Sequence, residues 1–385
     1  TVFEITEKDN QLSTLKAEMV EETEPGKKLY DLQEPRARTF DKGKTITLRA
    51  QKGKFDQNKK LLNLYTDVVG NYNKQMEVKT NSATYSFATE AGYGNDKVVG
   101  DGEKGHFEAD KFTFDKKKGI ITLIQNVLLK NDKAELRSPT KATLFFNDKK
   151  FVALKATIKK GTDILKGDTV TAHFKDMHGF EVTKAFAEGH TEIVSDGKKA
   201  FADKGEYDAA SGLIKLFNNV KIVDTNGYTA TADYGVFDNK KQLFTLQKNV
   251  KVKDNSGYTA IAKTGIYDLT KKTFTLQDDV RIDKGDNVIT APKAIYFQNK
   301  GEFRFYDDVK VTQDGGTATA KSGVYFIKKN IAELEKDVVI TKDGNVVRGD
   351  KAISDFNTSK SRLIAKKGGR ISGKLIESTL KDKDD

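Results

Sequence analysis

The chain has 385 residues, of which 37% are hydrophobic and 32% charged, and its formal net charge is +11. So little apolar material argues against a large closed α/β core, and the absence of cysteine excludes disulfides and thiolate metal sites. No run of about 20 apolar residues is present, so no membrane-spanning helix is predicted. The basic balance favours acidic partners, but its spread along the chain weakens a nucleic-acid function.

The chain opens with a charged, irregular stretch that closes at Pro25-Gly26 and reads as a linker or loosely held strand. Strand-like alternation starts at Leu29, and its turn-and-strand pattern (GKFD at Gly53) returns much later (GVFD at Gly235). The strand repeat is least regular in residues 141–189. This favours a boundary between an N-terminal and a C-terminal array near residues 141–150. The predicted organisation is a linker or loosely ordered segment over 1–28, a first strand array over 29–145, a repeat array over 146–378 and a charged tail over 379–385.

From Asn219 to Lys366 the sequence repeats every 29 or 30 residues. Each block begins with Asn-Val, Asp-Val or a close variant, crosses an Asn-Gly or Asp-Gly type turn, and ends in a short aromatic or aliphatic strand. A fixed period of this length indicates stacked units rather than one globule. The five blocks start at Asn219, Asn249, Asp279, Asp308 and Asp337, and a sixth, less regular block starts at His190.

Side chains on a strand alternate between its two faces, so each repeat has one apolar and one polar face. In the second block, Val250, Phe274 and Leu276 fall on the apolar face, whereas Lys251 and Thr275 fall on the polar one. The apolar face is either an ordinary packed core or the lining of a ligand trough. The residues of the apolar face that would line such a trough are Val220, Ile222, Phe244, Leu246, Val250, Val252, Phe274, Leu276, Val280, Ile282, Phe303, Phe305, Val309 and Val311.

Charged and titratable residues form no recognisable catalytic motif. Paired lysines recur at the hairpin tips, where they either meet lipid phosphates or simply keep the turns soluble. Arg36 and Arg38 share one strand face and could anchor the first strand or contact a partner. His173 and His178 are five residues apart and face opposite sides of a strand, which does not build a metal site. No nucleophile elbow, phosphate-binding glycine loop or zincin helix is present, so we predict no enzyme, metal or cofactor.

These patterns resemble the OstA-like β-jelly-roll of the lipopolysaccharide transport proteins LptA and LptC. LQEPRARTFDKGKTIT (Leu32 to Thr47) and HFEADKFTFDKKKGIITLIQN (His106 to Asn126) resemble LptC. The "NV…A…YD…L" repeats and the closing GDKAISDFNTSKSRLIAKKGGRISGKLIES (Gly349 to Ser378) resemble LptA. The two families are usually separate chains, and the sequence leaves open whether their union here is a natural or an engineered fusion.

The resemblance implies an all-β fold, an elongated, V-shaped antiparallel strand stack whose trough shields lipopolysaccharide acyl chains while the sugar stays in water. It also implies that the fourteen residues of the apolar face named above, from Val220 to Val311, contact lipid. It implies inner-membrane transporter jelly-rolls as partners at the N-terminal edge and the outer-membrane translocon's periplasmic domain at the C-terminal edge. End-to-end self-association is also possible, and no nucleic acid is expected. We expect a periplasmic location with an N-terminal inner-membrane anchor absent from this chain. The alternatives are a structural or adhesive β-solenoid that pairs only with protein strand edges and, less favoured, a polysaccharide-acting β-helix enzyme.

Overall fold

The computed structural model describes residues 1–6, 12–41, 43–103, 105–175, 181–195, 197–224, 227–365 and 369–374. Strands account for 74% of the structure, their pairings are antiparallel, and the described residues contain no helix. The all-β class predicted from the sequence is therefore confirmed. Among these residues, no helical segment has the length and hydropathy needed to cross a bilayer.

Residue contacts group the chain into two units, residues 1–196 with 204–211 and residues 197–203 with 212–385. The predicted boundary between residues 145 and 146 separates the LptC-like part from the LptA-like part. It is a different division from these contact units, and it stays a prediction. The strands of the first unit are β1 (Val2–Thr6), β2 (Leu12–Lys16), β3 (Met19–Glu22), β4 (Leu29–Gln33), β5 (Arg36–Asp41), β6 (Lys44–Arg49), β7 (Lys52–Asp56), β8 (Leu61–Tyr72), β9 (Met76–Ser86), β10 (Ala91–Gly94), β11 (Val98–Gly102), β12 (Gly105–Ala109), β13 (Lys111–Asp115), β14 (Ile120–Ile124), β15 (Val127–Lys130), β16 (Glu135–Ser138), β17 (Lys141–Phe145), β18 (Lys150–Lys160), β19 (Asp163–Phe174) and β20 (Val182–Ser195).

The next strand, β21 (Lys198–Asp208), has residues in both units. The strands that follow belong to the second unit, and all but the last two of them are 10 to 12 residues long. They are β22 (Leu213–Val223), β23 (Thr229–Asp238), β24 (Leu243–Lys253), β25 (Thr259–Asp268), β26 (Thr273–Lys284), β27 (Asn287–Phe297), β28 (Glu302–Gln313), β29 (Gly316–Phe326), β30 (Ile331–Lys342), β31 (Asn345–Asp355), β32 (Lys360–Ile364) and β33 (Ser372–Lys374).

The even-numbered long strands of the second unit bend at two consecutive left-handed residues. In β24, Lys248 and Asn249 have φ angles of 64° and 53°, and the register with β25 shifts between Gln247 and Val250. Such a bulge bends a strand, and Asn and Asp tolerate this backbone conformation better than most residues do. The bend explains why every repeat opens with Asn or Asp. It also divides the sheet into two halves, the residues before the bend and those after it.

The same bend occurs at residues 218–219, 278–279, 307–308 and 336–337. Aromatic rings from the two halves touch each other, which places the inward face of one half against the inward face of the other. The Phe274 ring packs directly over Gly265 in this interior. A Cβ atom at position 265 would lie 2.7 Å from the Phe274 Cε1 atom, so a larger residue there would clash with the ring. Gly235 stands in the same relation to Phe244 one repeat earlier.

The described part of residues 1–28, a segment predicted to be a linker or loosely ordered, contains three strands. β1 pairs with β2, β2 with β5, and β3 with β4. Ile5 and Leu15 are buried in a cluster that also contains Phe55. A few well-spaced apolar residues are enough to pack this charged segment against the sheet. Because most residues of the segment are charged or polar, its composition alone did not indicate a strand. Residues 379–385, the predicted charged tail, lie outside the described residues.

Candidate functional site

The fourteen predicted lipid-contacting residues all lie inside the second unit. Each is at most 8% exposed, and side chains of neighbouring strands cover it. The register sets them in rows, with Phe244 opposite Tyr267, Val250 opposite Ala262 and Val252 opposite Ala260. The residues between them point outwards, as exposed Lys251 does. The predicted alternation therefore describes the side-chain directions, while contact with lipid stays a prediction.

Two tyrosines close the interior at the turn end of the strands. Tyr228 and Tyr258 each follow a left-handed glycine, and both are buried. The Tyr228 ring stacks on Tyr296 with centroids 6.0 Å apart and lies equally close to Phe274. The Tyr258 ring meets Phe303 edge-on at 5.1 Å. These contacts join the turns of one sheet half to the strands of the other, and we call Tyr228 and Tyr258 the tyrosine closure.

The hydroxyl groups of the tyrosine closure are poorly satisfied. Among the described residues, neither Tyr228 Oη nor Tyr258 Oη has a hydrogen-bond partner of normal geometry, although the Tyr258 hydroxyl lies near that of Tyr296. Burial raises the pKa of both phenols well above the usual value, so both stay protonated as donors. By contrast, Tyr325 Oη donates to Asn330 Oδ1 at 2.9 Å. A buried hydroxyl without a partner costs free energy, so these two donors suit an incoming acceptor.

Sequence reasoning missed the tyrosine closure. Its signal is an aromatic residue placed directly after the turn glycine, in the Gly227-Tyr228 and Gly257-Tyr258 pairs. The three later repeats lack this residue, so the pattern differs from the general repeat. The rings that the closure contacts lie up to 68 residues away along the chain (Tyr228 to Tyr296), a distance over which strand alternation gives no information.

The lysine pairs at the hairpin tips belong to capped turns. At the tip between β25 and β26, the Asp268 carboxylate accepts hydrogen bonds from the backbone N–H of Lys271 at 2.9 Å and from the Thr270 hydroxyl at 2.7 Å. These bonds, that of Lys271 above all, lower the pKa of Asp268 to about 2. Asp238 holds the preceding tip in the same way through Lys240 and Lys241. The geometry gives these tips a structural role, and their contact with phosphate stays a prediction.

We expect Asp268→Ala to destabilise the second unit by about 1 kcal/mol at neutral pH, because it removes the turn's hydrogen-bond acceptor. The folded-state pKa is depressed, so the carboxylate's contribution is present above the unfolded pKa of about 4 and is lost as pH falls through the folded value. Urea unfolding at pH 7 and pH 2 measures the difference, with Asp286→Ala as the exposed control. A difference between wild type and Asp268→Ala that stays unchanged at pH 2 would contradict this assignment.

The three histidines that the structure describes do not form a shared centre. His106 bonds Asp101 at 2.7 Å and Glu108 at 3.0 Å, which raises its pKa, Asp101 being the stronger cause. His190 bonds Asp168 at 2.7 Å, and His173 lies edge-on to Phe186. His178 lies outside the described residues. Within the described part of the chain, no group of three or more His, Asp or Glu side chains is placed to hold a metal ion.

Two known protein families match separate parts of this chain. Residues 1–131 match the family described as "Lipopolysaccharide-assembly, LptC-related". Residues 155–229 and 261–360 match the "LptA/(LptD N-terminal domain) LPS transport protein" family. The chain therefore has an LptC-like part followed by an LptA-like part. The predicted resemblance to LptC and then LptA is thereby confirmed.

The two family matches support a periplasmic component of lipopolysaccharide transport, and they imply binding of lipopolysaccharide and interaction with other Lpt components. The structural or adhesive β-solenoid is not favoured. Among solved structures, the chain is similar to LptH, the LptA homologous periplasmic component of the lipopolysaccharide transport device from Pseudomonas aeruginosa. The two are 16% identical with a TM-score of 0.29, over 31% of this chain and 95% of LptH. Comparison with curated proteins gives no match.

Proposed function

We propose that acyl chains of lipopolysaccharide travel through the interior of the second unit, between the two halves of its sheet. The observation that supports this path is the repetition of the same inward apolar positions in successive strands from Val220 to Val311. Each methylene group that leaves water there gains about 0.8 kcal/mol, so an acyl chain is held firmly but without a specific geometry. Equivalent rungs then allow the chain to move from one to the next.

Entry requires the two sheet halves to separate, because protein side chains cover the whole lining. The tyrosine closure is one place where the two halves touch, through contacts between aromatic rings. We propose that incoming acyl chains displace these rings. The two buried hydroxyls would then donate hydrogen bonds to the ester or amide carbonyls that attach acyl chains to the sugar. Closure behind the lipid would restore the ring contacts and exclude water.

We propose that the chain carries out no chemistry of its own and that an ATP-driven partner upstream supplies direction. Partners would join by strand addition, since an open sheet edge offers unpaired backbone groups. At the start of the described chain, β1 pairs only with β2, and near its end β32 and β33 each pair only with β31. We assign the first edge to inner-membrane transporter jelly-rolls and the second to the translocon's periplasmic domain. Competition by a peptide that copies Val2–Thr6 would test the first pairing.

Site-specific photocrosslinking tests the proposed path. A photoreactive amino acid replaces Leu276, which is fully buried on the inward face, and in a second variant replaces the adjacent half-buried Thr275 on the outward face. We expect purified lipopolysaccharide to crosslink at position 276 and not at 275. Equal labelling of both positions, or none at either, would show that this interior is only a packed core.

A further inference from the structure

A positively charged cleft lies on the outward face of the first unit, away from its buried core. Its volume is about 750 Å³, and four of its twelve lining residues are cations while none is acidic. Strands β2, β5, β6 and β8 form its floor. The lining residues are Leu12, Thr14, Lys16, Arg36, Ala37, Arg38, Phe40, Thr47, Leu48, Arg49, Val69 and Asn71.

The strand register places three of these cations directly opposite one another. Lys16 of β2 faces Arg36 of β5, which in turn faces Arg49 of β6. Like charges at directly opposed positions on one face of a sheet repel and destabilise it. The repulsion between these cations lowers the stability of the isolated unit. An anionic partner bound on this face would reduce the repulsion.

Few acidic side chains of the described chain offset this charge. Arg36 reaches Glu18 at 4.0 Å, and both side chains are largely exposed. Glu4 of β1 lies on the same face opposite Thr14. Arg49 helps to lower the pKa of Glu77, but Lys79 is the larger cause and bonds Glu77 directly at 2.8 Å. Exposed pairs of this kind contribute little, so the cleft stays strongly basic.

Apolar side chains stand beside the cations on the same outward face. Leu12 is 49% exposed, and Val2, whose register partner is Lys16, is 53% exposed. Phe40 is half-buried beneath the Arg38 guanidinium, which lies 5.1 Å from its ring centre. Guanidinium groups bind phosphate oxygens in a bidentate manner, and exposed aliphatic residues next to cations are typical of surfaces that lie on anionic bilayers.

We propose that this face docks the first unit on an anionic phospholipid membrane, with lipid headgroup phosphates in the cleft. An acidic protein strand would be expected to pair with the open edge of β1 within the sheet plane, whereas these side chains project perpendicular to that plane. Docking would hold the first unit against the bilayer from which lipid is collected. Docking of this face does not require acyl chains to pass through the second unit.

Co-sedimentation with vesicles tests the docking. Vesicles contain equal parts of phosphatidylglycerol and phosphatidylcholine, or phosphatidylcholine alone. The triple variant Arg36→Gln, Arg38→Gln, Arg49→Gln removes three exposed cations from the cleft. The matched control, Lys221→Gln, Lys251→Gln, Lys310→Gln, removes three exposed cations from the second unit. Since each cation at an anionic surface contributes roughly fivefold, we expect the cleft variant to bind anionic vesicles about a hundredfold more weakly and the control to change by no more than about twofold.

Three results would overturn the proposal. Equal losses in both triple variants would mean that only net charge matters, and equal wild-type binding to both vesicle types would exclude an anionic requirement. Displacement by sodium phosphate, but not by sodium chloride of the same ionic strength, would reveal a free-phosphate site instead.

Lipopolysaccharide crosslinking at position 276 is expected to persist in the cleft variant, which separates the failure of docking from the failure of the transport path. Leu12→Asn, which keeps every charge, is expected to weaken binding to anionic vesicles.

Discussion

Bridging the tyrosine closure covalently is expected to abolish loading of lipopolysaccharide into the second unit. The chain contains no cysteine, so the double variant Tyr228→Cys, Tyr296→Cys introduces unique thiols at two rings that stack 6.0 Å apart. A short bis-maleimide then ties the turn of one sheet half to a strand of the other. If acyl chains enter where these rings part, fixing them blocks entry, and loading falls by at least about tenfold, as expected for a locked gate.

The control places the same bridge within one sheet half. Lys251 and Ile261 are register partners on the outward face, so bridging Lys251→Cys with Ile261→Cys leaves the closure free. Loading is measured as lipopolysaccharide retained after gel filtration, in bridged and unbridged samples of each variant. Normal loading of the bridged Tyr228–Tyr296 protein would show that the acyl chains use another route.

The sequence was sufficient to predict the class of fold and the direction of most side chains in the second unit. Both depend on short-range patterns, the strand alternation and the spacing of turn residues, which the 29- to 30-residue period repeats several times. A single strand such as Val2–Thr6 lacks that repetition. Its charged neighbours then dominate the composition, and the segment was predicted to be a linker although Ile5 and Leu15 are buried.

Features that join distant parts of the chain could not be read from the pattern. The basic cleft unites Lys16, Arg36 and Arg49, and only the observed register of three strands makes them neighbours. Arg36 and Arg38 were recognised as sharing a face, but nothing local indicated what lies beside them. The bends are an intermediate case, because the Asn or Asp that opens each repeat is visible while its left-handed backbone conformation is not.

The most destabilising single substitution in the second unit is expected to be Phe303→Ala. Phe303 is fully buried and lies 4.9 Å from Tyr296, 5.1 Å from Tyr258 and 6.2 Å from Phe305, measured between ring centres. Truncation leaves a cavity among rings that cannot collapse together, which costs about 3–5 kcal/mol. Tyr306→Ala, on the same strand but 38% exposed, is the control and is expected to cost less than about 1 kcal/mol.

The Phe303→Ala substitution is also expected to lower stability in a particular group of strands. In a stacked array each strand is stabilised mainly by its neighbours, so the loss should centre on β27, β28 and β29 and spare the first unit. Hydrogen exchange measures this directly as lost amide protection in those three strands of Phe303→Ala. Because Tyr258 packs edge-on against Phe303, the substitution should also loosen the tyrosine closure and speed the bis-maleimide reaction at Tyr228→Cys, Tyr296→Cys. Uniform loss of protection over both units would instead indicate that the whole chain unfolds as one cooperative body.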